Sequence, residues 1–308
     1  MKYLIMGAGA LGSVIGGLLL RAGRSVVFVG RGPHFEHITT LGLVIDGLWG
    51  EHRLRPAPTV PDDGRFRADI ILLCVKSFDT ETACAQVRDL AAPDGLVVSV
   101  QNGLGNLEAV ARVFGERRTI GARVIFGARV PTPGWATVTV YADRVLLGPF
   151  EPRTPTERLG RVVQDLNQAG IPTALVDNIL THIWGKVLYN CALNPLGAIL
   201  GAPYGKLGEH PDTLALMEQV IEEIYRVAAA KGVALEPPSA VAYFRYFLDK
   251  LLPPTAAHWP SMWQDLNAGR RTEIEALNGA ICRYGAETGV PTPANEVLSR
   301  LVRFLERR

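Results

Sequence analysis

2-KYLIMGAGALGSVIGGLLLRAGRSVVFVGRG-32 is the stretch that decides the fold. An apolar strand, Lys2 to Met6, runs straight into Gly7-Ala8-Gly9-Ala10-Leu11-Gly12, and these residues open a helix over Ala10 to Ala22. A second apolar strand, Ser25 to Val29, follows and ends in Gly-Arg-Gly. Strand, helix and strand in this order form one βαβ unit, the opening of a parallel sheet. The glycines have separate tasks at this junction. Gly7 permits the tight turn, Gly9 lets the backbone approach a pyrophosphate, and Gly12 lets the helix pack on the strand, with the helix N terminus facing the phosphate. A G-x-G-x-x-G pattern alone is a weak signal, and its place between strand and helix gives it meaning. Gly7, Ala8, Gly9, Ala10, Leu11 and Gly12 are therefore candidate dinucleotide contacts. The same glycines argue against taking Leu4 to Leu20 for a signal peptide or a membrane span.

The end of the second strand bears on which dinucleotide. An NAD-selective site places Asp or Glu there to accept the ribose 2′-hydroxyl. This chain has Gly30-Arg31, with no carboxylate to repel a 2′-phosphate and a guanidinium to hold one, so the reading favours NADP(H). The alternative for Arg31 is a solvated turn residue.

Outward from this unit, Asp69 to Val75 and Leu96 to Val100 read as buried strands, the first ending in Lys76 and the second in 101-QNGLGN-106. Ligands of open α/β sheets bind at the carboxyl ends of strands, which makes Lys76 and Asn102 candidates. A surface lysine and an ordinary Asn-Gly turn are the competing readings. Segments 119–130, 136–141 and 145–147 are β-rich and point to some antiparallel strands at the end of this half. After a helix over 157–169 and a strand over 173–176, the pattern becomes helical: 178–200, 211–230, 239–251, 261–287 and 293–306, with breaks such as 252-LPPT-255. The expected organisation is an α/β domain over residues 1–177 and an all-helical domain over 178–308. No repeat or low-complexity linker separates them, so direct packing with a cleft is expected.

Composition narrows the partners. The chain has 308 residues, 48% of them hydrophobic, and its 32 basic and 30 acidic side chains leave a formal charge of only +2 without long runs. That excludes a nucleic-acid or acidic-membrane footprint and favours a small-molecule partner. Cys74, Cys84, Cys191 and Cys282 are far apart, with no C-x-x-C and no His cluster at ligand spacing, so free thiols in a reducing cytoplasm and no metal site are expected. The cluster of Tyr243, Phe244, Tyr246 and Phe247 suits either a core or a homodimer interface.

The helical half contains 184-WGKVLYNCALNPLGAIL-200, an apolar stretch in which Lys186, Asn190 and Asn194 recur every fourth residue. Each such step turns only about 40° around a helix, so the three side chains share one face. Burying unpaired polar groups is costly, so the stripe needs partners, either other helices or a ligand. Pro195 has no backbone N–H and leaves the Cys191 carbonyl without its helical partner, from which a kink is expected.

Gly7-x-Gly9-x-x-Gly12, Lys76 after a strand, 101-QNG-103, 186-KVLYNCALNPL-196, 261-SMWQD-265 and 272-TEIEALNG-279 together closely resemble the ketopantoate reductase family, from the first residues to about residue 295. The resemblance implies a Rossmann-type N-terminal domain and a helical C-terminal domain of 6-phosphogluconate dehydrogenase-like architecture. It implies reduction of 2-dehydropantoate to pantoate with NADPH, on the way to pantothenate and coenzyme A. Carried over by position, it makes Lys186 the catalytic lysine and Glu273 its carboxylate partner, Glu273 also lying near the cofactor. It makes Asn190, Asn194, Ser261 and, one helical turn further on, Asp265 substrate contacts. Asn102 would lie by the nicotinamide and the reacting carbonyl, Lys76 by the cofactor, and Arg31 at the 2′-phosphate. Taken alone, Ser261 reads as a helix N-cap and Glu273 as part of a solvated helix face. Two positions depart from the pattern: many relatives carry Asn three residues ahead of the serine and a second serine just before it, where this chain has His258 and Pro260. Two other functions stay open, reduction of a different branched 2-oxo acid and a non-catalytic NADPH-binding regulatory role.

Overall fold

A computed structural model describes residues 1–152, 154 and 156–308. The opening stretch folds as β1 (Lys2–Met6), α1 (Ala10–Arg21) and β2 (Ser25–Val29), with β1 and β2 parallel and in register from Lys2 with Ser25 to Met6 with Val29. The chain continues through α2 (Gly32–Thr40), β3 (Leu43–Gly47), β4 (His52–Leu54), β5 (Ala68–Leu73), α3 (Thr80–Val87), β6 (Ala91–Ser99) and α4 (Asn106–Phe114). It then forms β7 (Thr119–Arg123), β8 (Phe126–Arg129), β9 (Trp135–Tyr141), β10 (Val145–Pro149), α5 (Thr156–Gln168) and β11 (Thr173–Leu175). Seven strands make one sheet in the order β11-β10-β7-β6-β5-β1-β2, parallel throughout except where β10 meets β7. The β-rich segments foreseen near 119–147 thus divide between two sheets.

In the second sheet, in the order β4-β3-β9-β8, the strands β3 and β4, with α2 before them, are the part that periodicity did not foresee, because all three are short and only half apolar. This sheet explains why α1 is hydrophobic almost all round, as a helix buried on every side must be. Gly16 faces the large sheet, where a Cβ would lie 2.5 Å from Phe28 Cζ. Gly17 faces the small one, where a Cβ would lie 2.7 Å from Ile45 Cδ1. Two adjacent glycines let one helix sit in contact with both sheets, and its Val14, Ile15, Leu18 and Leu19 join the shared core.

The helical unit comprises α6 (Ile179–Leu200), α7 (Tyr204–Leu207), α8 (Pro211–Ala230), α9 (Ala240–Tyr246), α10 (Ser261–Asn267), α11 (Asn278–Thr288) and α12 (Pro293–Leu305). By compactness the chain separates into Met1–Gln101 with Asn106–Ile179, and Leu180–Arg308 with the short segment Asn102–Gly105. Pro211 and Pro293 begin their helices, where a missing N–H has no cost. α6 continues as one helix through Pro195, the residue at which a kink is expected.

Two expectations need correction. The single helix over 261–287 is two: α10 stops before Gly269, which takes a left-handed φ of +63°, and a loop and a 3₁₀ turn at Ile274–Ala276 precede α11. The helix over 239–251 widens after Tyr246 into a π turn at Phe247–Leu251. In the aromatic cluster there, Tyr243 and Phe247 lie in the core, Phe244 is partly buried and packs against it, and Tyr246 is exposed. The four cysteines are free thiols, and among the described residues no helix is long and apolar enough to cross a membrane.

Candidate functional site

In the helical unit the site begins at a turn. Asn102 follows β6 by three residues, and the segment it starts is held by Leu104, whose N–H donates to the Ala276 carbonyl at 2.7 Å and whose side chain joins the helical core. Gly103 has φ +85°, and a Cβ there would stand 2.3 Å from the Ala276 oxygen, so only glycine allows this approach. Asn102 is thereby fixed beside 272-TEIEA-276. Lys186 Nζ donates to Asn102 Oδ1 at 2.6 Å, and Asn102 Nδ2 donates to Glu273 Oε2 at 3.4 Å. The asparagine uses both ends of its amide to join an ammonium to a carboxylate.

Each end of this relay is itself positioned. Lys186 stands on α6 next to the buried Val187 and Leu188, which with Cys191 seat the helix in the core. Glu273 lies in a turn, not on the solvated helix face that its sequence context suggested. Its neighbour Thr272 donates from its backbone N–H and its hydroxyl to Glu306 Oε1, at 2.7 and 2.6 Å, and accepts from Ile274 N–H at 3.2 Å. Lys186, Asn102 and Glu273 are all partly buried, so water competes less for these bonds than at an open surface.

The rest of the polar stripe is sorted by burial. Asn190 is partly buried, whereas Asn194 is buried and its Oδ1 accepts from the Tyr204 hydroxyl at 2.7 Å. Burial pushes the Tyr204 phenol well above its usual range, which keeps it a donor. The ring of Tyr204 lies 5.2 Å from that of His258, and its N–H donates to the His258 carbonyl at 3.0 Å. Burial also lowers the His258 pKa. Three residues further, Ser261 is exposed as the first residue of α10. Pro260 holds the N-cap position and packs where a Cβ on Gly197 would meet its Cγ at 2.6 Å. Asp265, expected among the substrate contacts, is buried and receives Arg270 Nε at 3.0 Å, an ion pair that closes the end of α10.

In the α/β unit the glycines divide as their spacing suggested. Gly7 has φ +100° and no room for a Cβ beside Val75. A Cβ on Gly12 would lie 2.1 Å from the Gly7 oxygen, whereas one on Gly9 would meet nothing within 4 Å. Gly9 is the N-cap of α1 and, among the described residues, no side chain caps that terminus; Ala8 is buried behind it, and Ala10 and Leu11 form the first turn. An open backbone at a helix start is a suitable cradle for phosphate oxygens. Arg31, two residues past β2 at the N-cap of α2, has its side chain 88% exposed and pairs with Asp79 at 3.1 Å. Lys76 precedes the 3₁₀ turn Ser77–Asp79 that carries this carboxylate. Sequence reading missed Asp79 and Tyr204, since an isolated Asp or Tyr at turn spacing carries no signal of its distant partner. The donor set of open amides, a guanidinium and a lysine fits a phosphorylated dinucleotide.

A glycine-cradled parallel-sheet unit followed by a helical unit with a lysine–amide–carboxylate relay defines a dinucleotide-dependent oxidoreductase of two-domain type. Residues 3–152 match the family described as "Ketopantoate reductase PanE/ApbA", and residues 178–306 match its C-terminal domain, "Ketopantoate reductase PanE/ApbA C terminal". The chain belongs to the ketopantoate reductase family. It is 39% identical over 308 residues to the 2-dehydropantoate 2-reductase of Aquifex aeolicus, covering 99% of this chain and 97% of that one. Among solved structures, a ketopantoate reductase from Ralstonia eutropha JMP134 superimposes with a TM-score of 0.88 at 33% identity, over 100% of this chain and 99% of the other. D-mandelate dehydrogenase, in a ternary structure with NADH and anilino(oxo)acetate, superimposes with a TM-score of 0.88 at 26% identity, over 100% and 98%.

Proposed function

We propose that the protein reduces 2-dehydropantoate to pantoate with NADPH. The observation that carries this reading is the bond chain from Lys186 through Asn102 to Glu273, in a member of this family. Bound NADPH supplies the hydride that reduces the C2 ketone. As negative charge grows on the carbonyl oxygen, the Lys186 ammonium hydrogen-bonds that oxygen and gives it a proton, completing the alcohol. Asn102 holds the Lys186 ammonium through Oδ1, and Glu273, held by the same amide, balances the positive charge. Asn190, Asn194 and Ser261 bind the carboxylate and hydroxyl groups of the substrate, restricting the ketone to one reactive face. Asp265 pairs with Arg270 at the end of α10, the helix that Ser261 begins. In the α/β unit, 7-GAGALG-12 binds the pyrophosphate, Lys76 binds the cofactor nearby and Arg31 takes the 2′-phosphate.

Loss of NADPH absorbance on adding 2-dehydropantoate tests the reading. Protein that binds NADPH yet turns over no 2-oxo acid overturns it and favours a regulatory role. Arg31→Asp is expected to move the preference from NADPH toward NADH, measured as the ratio of kcat/KM values, and an unchanged ratio removes Arg31 from the 2′-phosphate site. A second reading, reduction of another branched 2-oxo acid, draws on the departure at His258, whose ring adjoins the Tyr204 that holds Asn194. Rates with 2-dehydropantoate and 2-oxoisovalerate, compared side by side, separate the two.

A further inference from the structure

α6 passes through Pro195 without a break, yet proline has no N–H to give the carbonyl four residues earlier. That carbonyl, on Cys191, is fully buried, where an unpaired acceptor is costly. The missing donor comes from elsewhere: Asn278 Nδ2 donates to the Cys191 oxygen at 3.1 Å. The other proton of the same amide goes to Asn295 Oδ1 at 3.0 Å. Asn295 in turn donates from Nδ2 to Glu223 Oε2 at 2.7 Å, and the Ala294 and Asn295 N–H groups donate to the Glu223 carboxylate at 2.8 and 3.0 Å. Asn278, Asn295 and Glu223 are all buried. This polar chain joins α11 to α6 and, through the start of α12, to α8.

We propose that Asn278 is a positioning residue: its side-chain amide replaces the backbone N–H that Pro195 lacks, tying the helix that carries Lys186 to the segment that carries Glu273. Cys191 is five residues beyond Lys186 on α6, and Asn278 starts α11 five residues beyond Glu273, across one 3₁₀ turn, so one bond fixes the spacing of the two ends of the relay. With both Nδ2 protons used, the amide has one orientation, and its Oδ1 has no hydrogen-bond partner among the described residues. A purely apolar packing residue would avoid that cost, whereas a buried network selects one arrangement. The inference rests on the reading of Lys186 and Glu273 given above.

The test is a double-mutant cycle between positions 195 and 278, read in kcat and in thermal midpoint. Asn278→Ala is expected to lower kcat by about 10- to 100-fold, as misplacement of reacting groups does, with NADPH Kd unchanged and KM little changed. Pro195→Ala restores an N–H within reach of the Cys191 carbonyl. It should leave kcat near that of the parent and recover most of the loss when combined with Asn278→Ala. An Asn278→Ala protein with parental kcat overturns the proposal, and so does a cycle in which the two substitutions are simply additive. If Asn278→Ala does not fold, Asn278→Ser enters the same cycle. Parent protein that turns over no 2-oxo acid refutes the proposed function instead, and the cycle in thermal midpoint still decides whether Asn278 serves the Cys191 carbonyl.

Discussion

Asn102→Ala removes the centre of the relay and leaves both ends in place. The bond from Lys186 Nζ to Asn102 Oδ1 is short, 2.6 Å, and charge-assisted. Hydrogen bonds to charged groups contribute about 1.5–3 kcal/mol. If that bond holds the ammonium where the reaction needs it, its loss lowers kcat by about 10- to 100-fold, at about 1.4 kcal/mol per tenfold. Asn102→Asp separates the two halves of the amide. An oxygen still faces Lys186, but the donor that stood 3.4 Å from Glu273 Oε2 becomes a second acceptor. Two carboxylates so close repel one another, which should displace Glu273 and lower kcat even though Lys186 keeps its acceptor. The assay is steady-state NADPH oxidation across pH, with cofactor binding followed by nicotinamide fluorescence to show that the α/β unit is unaffected. Parental kcat in Asn102→Ala refutes the relay. An Asn102→Asp profile superimposable on the parent's refutes the contact with Glu273.

Lys186→Ala should lower kcat by about 10²- to 10⁴-fold with NADPH binding intact, and an equal loss of both would mark a folding defect. Gly16→Ala places a Cβ 2.5 Å from Phe28 Cζ and 2.7 Å from Ile5 Cγ1, so overpacking of about 1–3 kcal/mol should appear as a lower thermal midpoint; an unchanged midpoint contradicts the close seating of α1. His34 accepts from Gly134 N–H at Nδ1 and meets Ser13 Oγ at Nε2, and burial lowers its pKa below the ordinary 6.5. The unfolded chain then takes up this proton first, so the stability is present above the unfolded pKa and lost as pH falls through the folded one. Thermal midpoints measured from neutral toward acid pH should fall less steeply in His34→Gln, and parallel slopes count against the buried neutral imidazole.

Local rules determined much of this protein. The βαβ opening, the separate tasks of Gly7, Gly9 and Gly12, and the shared face of Lys186, Asn190 and Asn194 all follow from turn sterics and helical periodicity, which act within a few residues. β3 and β4 of the second sheet were beyond those rules, because they are too short to carry a pattern and exist only where β9 and α1 cover them. Tertiary structure alone decided which polar side chains on α6 have protein partners. Asn194 is held by Tyr204, and the carbonyl freed by Pro195 is met by Asn278, eighty-seven residues from Cys191. It also placed Glu273 in a turn beside Asn102, 171 residues away in sequence. A hydrogen bond across such separations depends on where packed helices bring their backbones, and no spacing within the sequence encodes that distance.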